Sequence, residues 1–105
     1  MENTTADFRS DTVTKPTKDM LDAMTKAPIG DDVLGDDPTV KRLESIASEM
    51  FGMESGLFCP SGTMTNQIAI NVHCRPGEEL ICSPLSHIYN YEGGGVAFNS
   101  GVQIR

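Results

Sequence analysis

The sequence predicts an α/β chain with a mainly parallel sheet. Three observations lead there. Short apolar runs alternate with stretches of helical apolar spacing, glycine and proline separate them, and the order over residues 55–104 is strand, helix, strand, helix, strand. Parallel neighbours need a crossover of about a dozen residues or more, and the helical stretches supply it.

The elements follow in order. Residues 1–16 carry Thr4, Thr5, Thr12, Val13 and Thr14 without a helical apolar stripe, which predicts an extended N-terminal arm ending at Pro16. Thr17 then caps a short helix with Met20, Leu21, Met24 and Ala27 on one face, stopped by Pro28 and Gly30. Residues 31–37 read as an acidic loop. Asp37 before Pro38 starts a second helix: a side-chain acceptor at the cap, then a residue whose missing N–H costs nothing in the first turn. Val40, Leu43, Ile46, Ala47, Met50 and Phe51 keep helical spacing, and Gly52 provides a left-handed stop. A strand is expected at 55–59, a helix at 63–73, a turn at Arg75-Pro76-Gly77 and a second strand at 79–82. A loop at 83–86, a helix over 87–98 and a strand at 102–104 complete the order. The last strand begins as the chain ends, which predicts that residues 17–105 open a larger domain.

Composition narrows the function. With 105 residues, 38% hydrophobic and 22% charged, the chain suits a globular unit rather than a disordered tail. No apolar run approaches the roughly 18 residues of a membrane span. The opening Met-Glu-Asn-Thr-Thr-Ala lacks the basic flank and apolar core of a signal peptide, so a cytoplasmic chain is expected. Cys59, Cys74 and Cys82 are then expected as thiols, Cys59 and Cys82 buried within apolar runs. The net charge of −7 argues against a nucleic-acid or anionic-membrane partner, whose phosphates would call for clustered Lys and Arg.

One local anion site stands out. Ser61-Gly62-Thr63 follows an expected strand and opens an expected helix, where unpaired N–H groups gather at the positive end of the helix dipole. Glycine lets backbone approach an anion closely, and two hydroxyls add hydrogen bonds, so the turn suits a phosphate; the same tripeptide is also an ordinary helix cap. If the strands at 55–59 and 79–82 are neighbours, His87 emerges on the same sheet edge. A flat imidazole there would stack on a planar ring whose phosphate lies on the turn, or would simply cap a helix. Gly93-Gly94-Gly95 costs helix stability, about 1 kcal/mol each, and marks either a close backbone approach or a loose loop.

Together the residues resemble a known family. Asp7-Phe8-Arg9-Ser10-Asp11-Thr12-Val13-Thr14-Lys15-Pro16-Thr17, Gly30-Asp31-Asp32-Val33 with Gly35-Asp36-Asp37-Pro38-Thr39, and Phe58-Cys59-Pro60-Ser61-Gly62-Thr63-Met64-Thr65-Asn66-Gln67 resemble the motifs of low-specificity L-threonine aldolases. Cys74-Arg75-Pro76-Gly77-Glu78-Glu79, Ser86-His87-Ile88 and Tyr91-Glu92 continue the likeness over nearly the whole chain. The resemblance implies the aspartate-aminotransferase fold (fold type I), with residues 17–105 as the N-terminal part of the large domain, and pyridoxal 5′-phosphate as cofactor. It implies cleavage of L-threonine or L-allo-threonine to glycine and acetaldehyde, and a homo-oligomer, a dimer or tetramer.

Residue by residue, the resemblance implies Ser61, Gly62 and Thr63 for the cofactor phosphate. It implies His87 for stacking on the ring beside the substrate hydroxyl, and Ser10 for the substrate carboxylate. Thr12 and Thr14 resemble positions that hold a structural cation in some relatives, and Glu92 is placed to orient groups around His87 or to face solvent. One departure stands out: many relatives carry tyrosine where this chain has Leu34, so a hydroxyl is missing from a loop that reaches a neighbouring subunit. The acidic loop lacks the alternating aspartates of an EF-hand calcium loop.

None of the four lysines, Lys15, Lys18, Lys26 and Lys41, falls in the strand-end, small-residue setting that makes a lysine a nucleophile. These 105 residues are therefore expected to be inactive alone. The readings that follow are an aldolase's N-terminal third, a related β-eliminating lyase, and a non-catalytic short form that pairs with a full-length subunit.

Overall fold

Where the capping chemistry is explicit in the sequence, the helices begin and end as expected. In the computed structural model, which describes residues 5–105, Thr17 accepts a hydrogen bond from the Met20 N–H and starts α1, Lys18–Lys26. Asp37 accepts from the N–H groups of Thr39 and Val40 and starts α2, Pro38–Phe51, with proline in the first turn. Gly52 ends α2 in the left-handed region at φ 64°, its N–H donating to the carbonyls of Glu49 and Ser48. The Asp37 carboxylate also receives the Gly30 N–H at 3.0 Å, and the Thr39 hydroxyl donates to the Pro28 carbonyl at 2.6 Å, so the loop between α1 and α2 is tied back onto the start of α2. Backbone donors from Val40 and Gly30, with Thr39, outweigh burial and hold the Asp37 carboxyl below its ordinary range.

The chain divides into two compact units, one through Gly56 and the other Leu57–Arg105. The first contains α1 and α2. The apolar residues that give α1 its stripe, Met20, Leu21 and Met24, are exposed. Part of the expected extended arm is wound instead. Asp11–Val13 form a turn of 3-10 helix because the Ser10 hydroxyl accepts from the Thr12 N–H and offers the chain a local alternative to extension. The arm's first four residues lie outside the described ones.

The second unit carries α3 (Gly62–His73), β1 (Glu79–Leu80), α4 (His87–Asn90), α5 (Gly95–Ser100) and β2 (Gln103–Ile104). β1 and β2 run parallel, with Glu79 opposite Gln103 and Leu80 opposite Ile104. The Gln103 N–H donates to the Glu78 carbonyl, the Arg105 N–H to Leu80 and the Cys82 N–H to Arg105, which fixes that register. Ile70, Val96 and Val102 are buried between α3, α5 and β2, with Cys74, Leu80, Ile88 and Ile104 packed around them. The parallel α/β class is therefore observed, on a small scale.

Three further expected elements differ. The strand expected at 79–82 is confined to Glu79–Leu80. Residues 55–59 form no strand: among the described residues the sheet consists of β1 and β2 alone, and a strand exists only through a neighbour that bonds its N–H and C=O groups. The helix expected over 87–98 is two short helices, because the chain turns through Gly93 and Gly94 at φ 61° and 74°, a region that β-carbons disfavour.

The third glycine has a different task. Gly95 is in α5, and a β-carbon added there would lie 2.9–3.0 Å from the side-chain amide of Gln67. Alanine normally favours a helix interior over glycine by about 1 kcal/mol. Here that gain meets a clash with an amide held by two other residues, and overpacking of this kind costs about 1–3 kcal/mol. Gly95→Ala is thus expected to lower the urea midpoint of unfolding; a raised midpoint would mean that Gln67 yields freely.

Candidate functional site

Ser61 opens α3. Its hydroxyl accepts from the Met64 N–H at 3.1 Å, and its carbonyl accepts the Thr65 N–H and hydroxyl. The cap leaves the first-turn N–H groups of Gly62 and Thr63 without an intrahelical partner, as every helix start does. A β-carbon built on Gly62 meets nothing within 4 Å, so the backbone here is open to approach. Ser61 and Thr63 border a groove of about 490 Å³ that runs along α3 past Gln67 and Asn71 to Asn99. Open N–H groups, a free approach and the Thr63 hydroxyl form a donor set suited to an anion such as a phosphate monoester.

One turn further along α3 stand Asn66 and Gln67. The Asn66 amide donates to Glu92 Oε1 at 2.7 Å and the Gln67 amide donates to Oε2 at 2.6 Å. His87 Nδ1 meets Oε1 at 2.9 Å. The Glu92 side chain is 0% exposed, while the imidazole is 61% exposed. Burial alone would push the Glu92 carboxyl upward; hydrogen bonds from Asn66, Gln67 and His87, with electrostatic attraction to His87, outweigh it and leave the carboxyl below its ordinary range. Gln67 Oε1 in turn accepts from the Asn99 amide at 3.1 Å, which fixes which way the Gln67 amide points.

His87 reaches α3 by a different route from the one the sequence suggests. The expected pairing of 55–59 with 79–82 is absent, and β1 pairs with β2 instead. The carboxylate of Glu92 makes the connection, bridging His87 to residues 66 and 67 about one helical turn, 5.4 Å along the axis, from Gly62. Tyr91 adds a second restraint, its ring centroid 5.4 Å from that of His87. Of the two readings open for Glu92, the solvent-facing one is excluded by its burial. Sequence reasoning missed Asn66 and Gln67 as partners. Two amides side by side on a helix opposite a glutamate 25 and 26 residues later are a signal visible only once the helix is packed.

The remaining candidates lie in the first unit. Ser10 caps the Asp11–Val13 turn; its hydroxyl accepts from the Thr12 hydroxyl at 2.9 Å and donates to Asp11 at 3.2 Å. The Thr14 hydroxyl donates to the Asp11 carbonyl at 2.6 Å. Thr12 and Thr14 therefore both spend their protons within one turn, and no group of three or more His, Cys, Asp or Glu able to hold a metal occurs among the described residues. Leu34 is exposed in a loop whose Asp31 carboxylate accepts the Val33 and Leu34 N–H groups. All four lysines are exposed. The three cysteines are free thiols, half-buried rather than buried, and Cys82 accepts a hydrogen bond from the Ser86 hydroxyl at 3.1 Å. No described helix is long and apolar enough to cross a membrane.

The second unit is thus α/β, with an open helix start and, about a turn further along that helix, two amides that share a carboxylate with His87. Residues 7–105 match the beta-eliminating lyase family, and the chain belongs to it. Over 97 residues it is 50% identical to the low specificity L-threonine aldolase of Escherichia coli (strain K12), covering 92% of this chain and 29% of that protein. It is 53% identical over 102 residues to the probable low-specificity L-threonine aldolase 2 of Arabidopsis thaliana, covering 96% of this chain and 29% of that protein. With the low specificity L-threonine aldolase of Saccharomyces cerevisiae it shares 44% identity over 99 residues, or 93% and 26% of the two chains. The chain spans less than a third of the length of these curated relatives.

Proposed function

We propose that this chain is the part of a pyridoxal-phosphate aldolase of fold type I that receives the cofactor's phosphate and faces one side of its ring. The reaction is cleavage of L-threonine or L-allo-threonine to glycine and acetaldehyde. The observation that carries this reading is the 50% identity to a threonine aldolase over 92% of the chain, a span that includes Ser61 to Thr63 and His87. The donor set at the start of α3 supports it.

When bound, the cofactor supplies a pyridinium ring that spreads the electron pair left on Cα as the Cα–Cβ bond breaks. The chain's own residues do the rest of the work assigned to them here. Gly62 and Thr63 would hold the phosphate through their N–H groups, and Thr63 through its hydroxyl, with the dipole of α3 behind them. His87 would face the ring and take the proton of the substrate's β-hydroxyl at Nε2. The O–H pair then becomes the second bond of the acetaldehyde carbonyl. The site lies in a chain whose lysines are all exposed, and the group that anchors the cofactor covalently is assigned to sequence outside these residues.

Expression of the longer gene product, followed by assay of L-threonine turnover, tests the reading. Glycine and acetaldehyde in equal amounts, with visible absorbance from bound cofactor, are expected. Ammonia with a keto acid as the main products would favour the β-eliminating reaction after which the family is named.

A further inference from the structure

The carboxylate of Glu92 is fully buried, and both of its oxygens are met. Oε2 takes the Gln67 amide at 2.6 Å; Oε1 takes the Asn66 amide at 2.7 Å and faces His87 Nδ1 at 2.9 Å. Asn66 and Gln67 offer N–H groups, and a side-chain amide cannot accept through nitrogen. The Gln67 amide cannot turn its oxygen toward Glu92 without losing the Asn99 hydrogen bond at 3.1 Å. With two amide donors fixed on it, a protonated Glu92 could aim its proton only at Nδ1; those donors also hold the carboxyl below its ordinary range, so at neutral pH Glu92 is an ionised acceptor. A lone pair on Nδ1 at 2.9 Å from an anionic oxygen would be repelled, so the hydrogen must sit on Nδ1.

We propose that Glu92 is the positioning residue of His87: it fixes the neutral imidazole as the Nδ1–H tautomer, so that Nε2 carries the lone pair. Nε2 has no protein partner among the described residues, and the ring is 61% exposed. Asn66 and Gln67, on the same helix that begins with the Ser61 to Thr63 turn, hold the carboxylate in turn. The orientation of the histidine is thereby tied to the helix whose start is read as the phosphate site. A carboxylate that orients an imidazole and selects its tautomer is a recurrent device wherever the opposite nitrogen must accept a proton. The use made of that lone pair rests on the proposed aldolase reaction; the tautomer does not.

The test separates the two. The cofactor-free, longer protein is labelled with 15N-histidine, and the His87 resonances are assigned by their loss in His87→Asn. At about pH 8.5, above the ordinary histidine range, Nδ1 is expected as the protonated nitrogen and Nε2 as the unprotonated one. Glu92→Gln is expected to move the pair toward the Nε2–H form that free imidazoles prefer, and to lower kcat about 10–100-fold while KM stays within about threefold. A urea unfolding curve of the same variant separates lost tautomer control from lost fold. Nε2–H in the unsubstituted protein overturns the proposal by itself, whether or not any variant folds. An unchanged Nδ1–H pattern in a folded Glu92→Gln protein overturns it equally. Absence of aldolase activity together with the expected tautomer would refute the reaction and leave the positioning role intact.

Discussion

Glu92→Ala is expected to lower the unfolding free energy of the unit Leu57–Arg105 by about 2 kcal/mol at neutral pH. The substitution removes the carboxylate that accepts from the Asn66 and Gln67 amides and meets His87 Nδ1. Asn66 and Gln67 are half-buried and His87 is exposed, so water recovers part of the loss; full burial of all three donors would cost more. The effect carries a pH signature of definite sign. Burial, taken alone, raises the Glu92 carboxyl, but its three donors more than compensate, and the folded-state value lies below the ordinary 4.5. A depressed carboxylate contributes stability that is present in full above its unfolded-state value and is lost as pH falls through the folded-state value. Urea unfolding between neutral pH and the acid range should therefore show a loss of stability below about pH 4.5 that shrinks in Glu92→Ala. Equal acid sensitivity in the two proteins would remove Glu92 from the account of stability.

His87→Asn in the longer protein is expected to slow threonine cleavage by about 100-fold or more, the usual range for removal of a group that moves a proton in the rate-determining step. Asparagine keeps a polar group of similar reach, and its amide can still donate toward Glu92, so the fold should survive. Its carbonyl oxygen accepts a hydrogen bond but does not take up a proton at neutral pH, and it lacks the flat aromatic face that the proposed role sets against the cofactor ring. Steady-state kinetics with L-threonine, and cofactor binding by absorbance titration, read the two losses separately. Unchanged turnover would show that another group accepts the hydroxyl proton.

The caps were legible because they are local. Thr17, Asp37 with Pro38, and Gly52 each act on a neighbour within a few residues, and all three start or stop a helix where the sequence places the boundary; Ser61 starts α3 at Gly62, one residue before the expected 63. The glycine triplet was half legible: the helix cost of Gly93 and Gly94 was visible, whereas the fit of Gly95 against Gln67 depends on how α3 meets α5. The strand at 55–59 could not be decided from its own residues, since pairing is a property of two segments and the apolar run carries no record of its partner. The site shows the same division. Ser61 to Thr63 and His87 are chemical types in telling positions. The Glu92 bridge that holds His87 spans 25 and 26 residues to Gln67 and Asn66, and it becomes readable only after folding brings a buried carboxylate to two amides.

The most direct test of the account is a crystal structure of the longer protein with pyridoxal phosphate bound. Phosphate oxygens are expected about 2.9 Å from the Gly62 and Thr63 nitrogens, with the His87 ring lying flat over the pyridine and Glu92 still bonded to Nδ1. A phosphate held elsewhere, with the start of α3 facing only solvent or another helix, would contradict it.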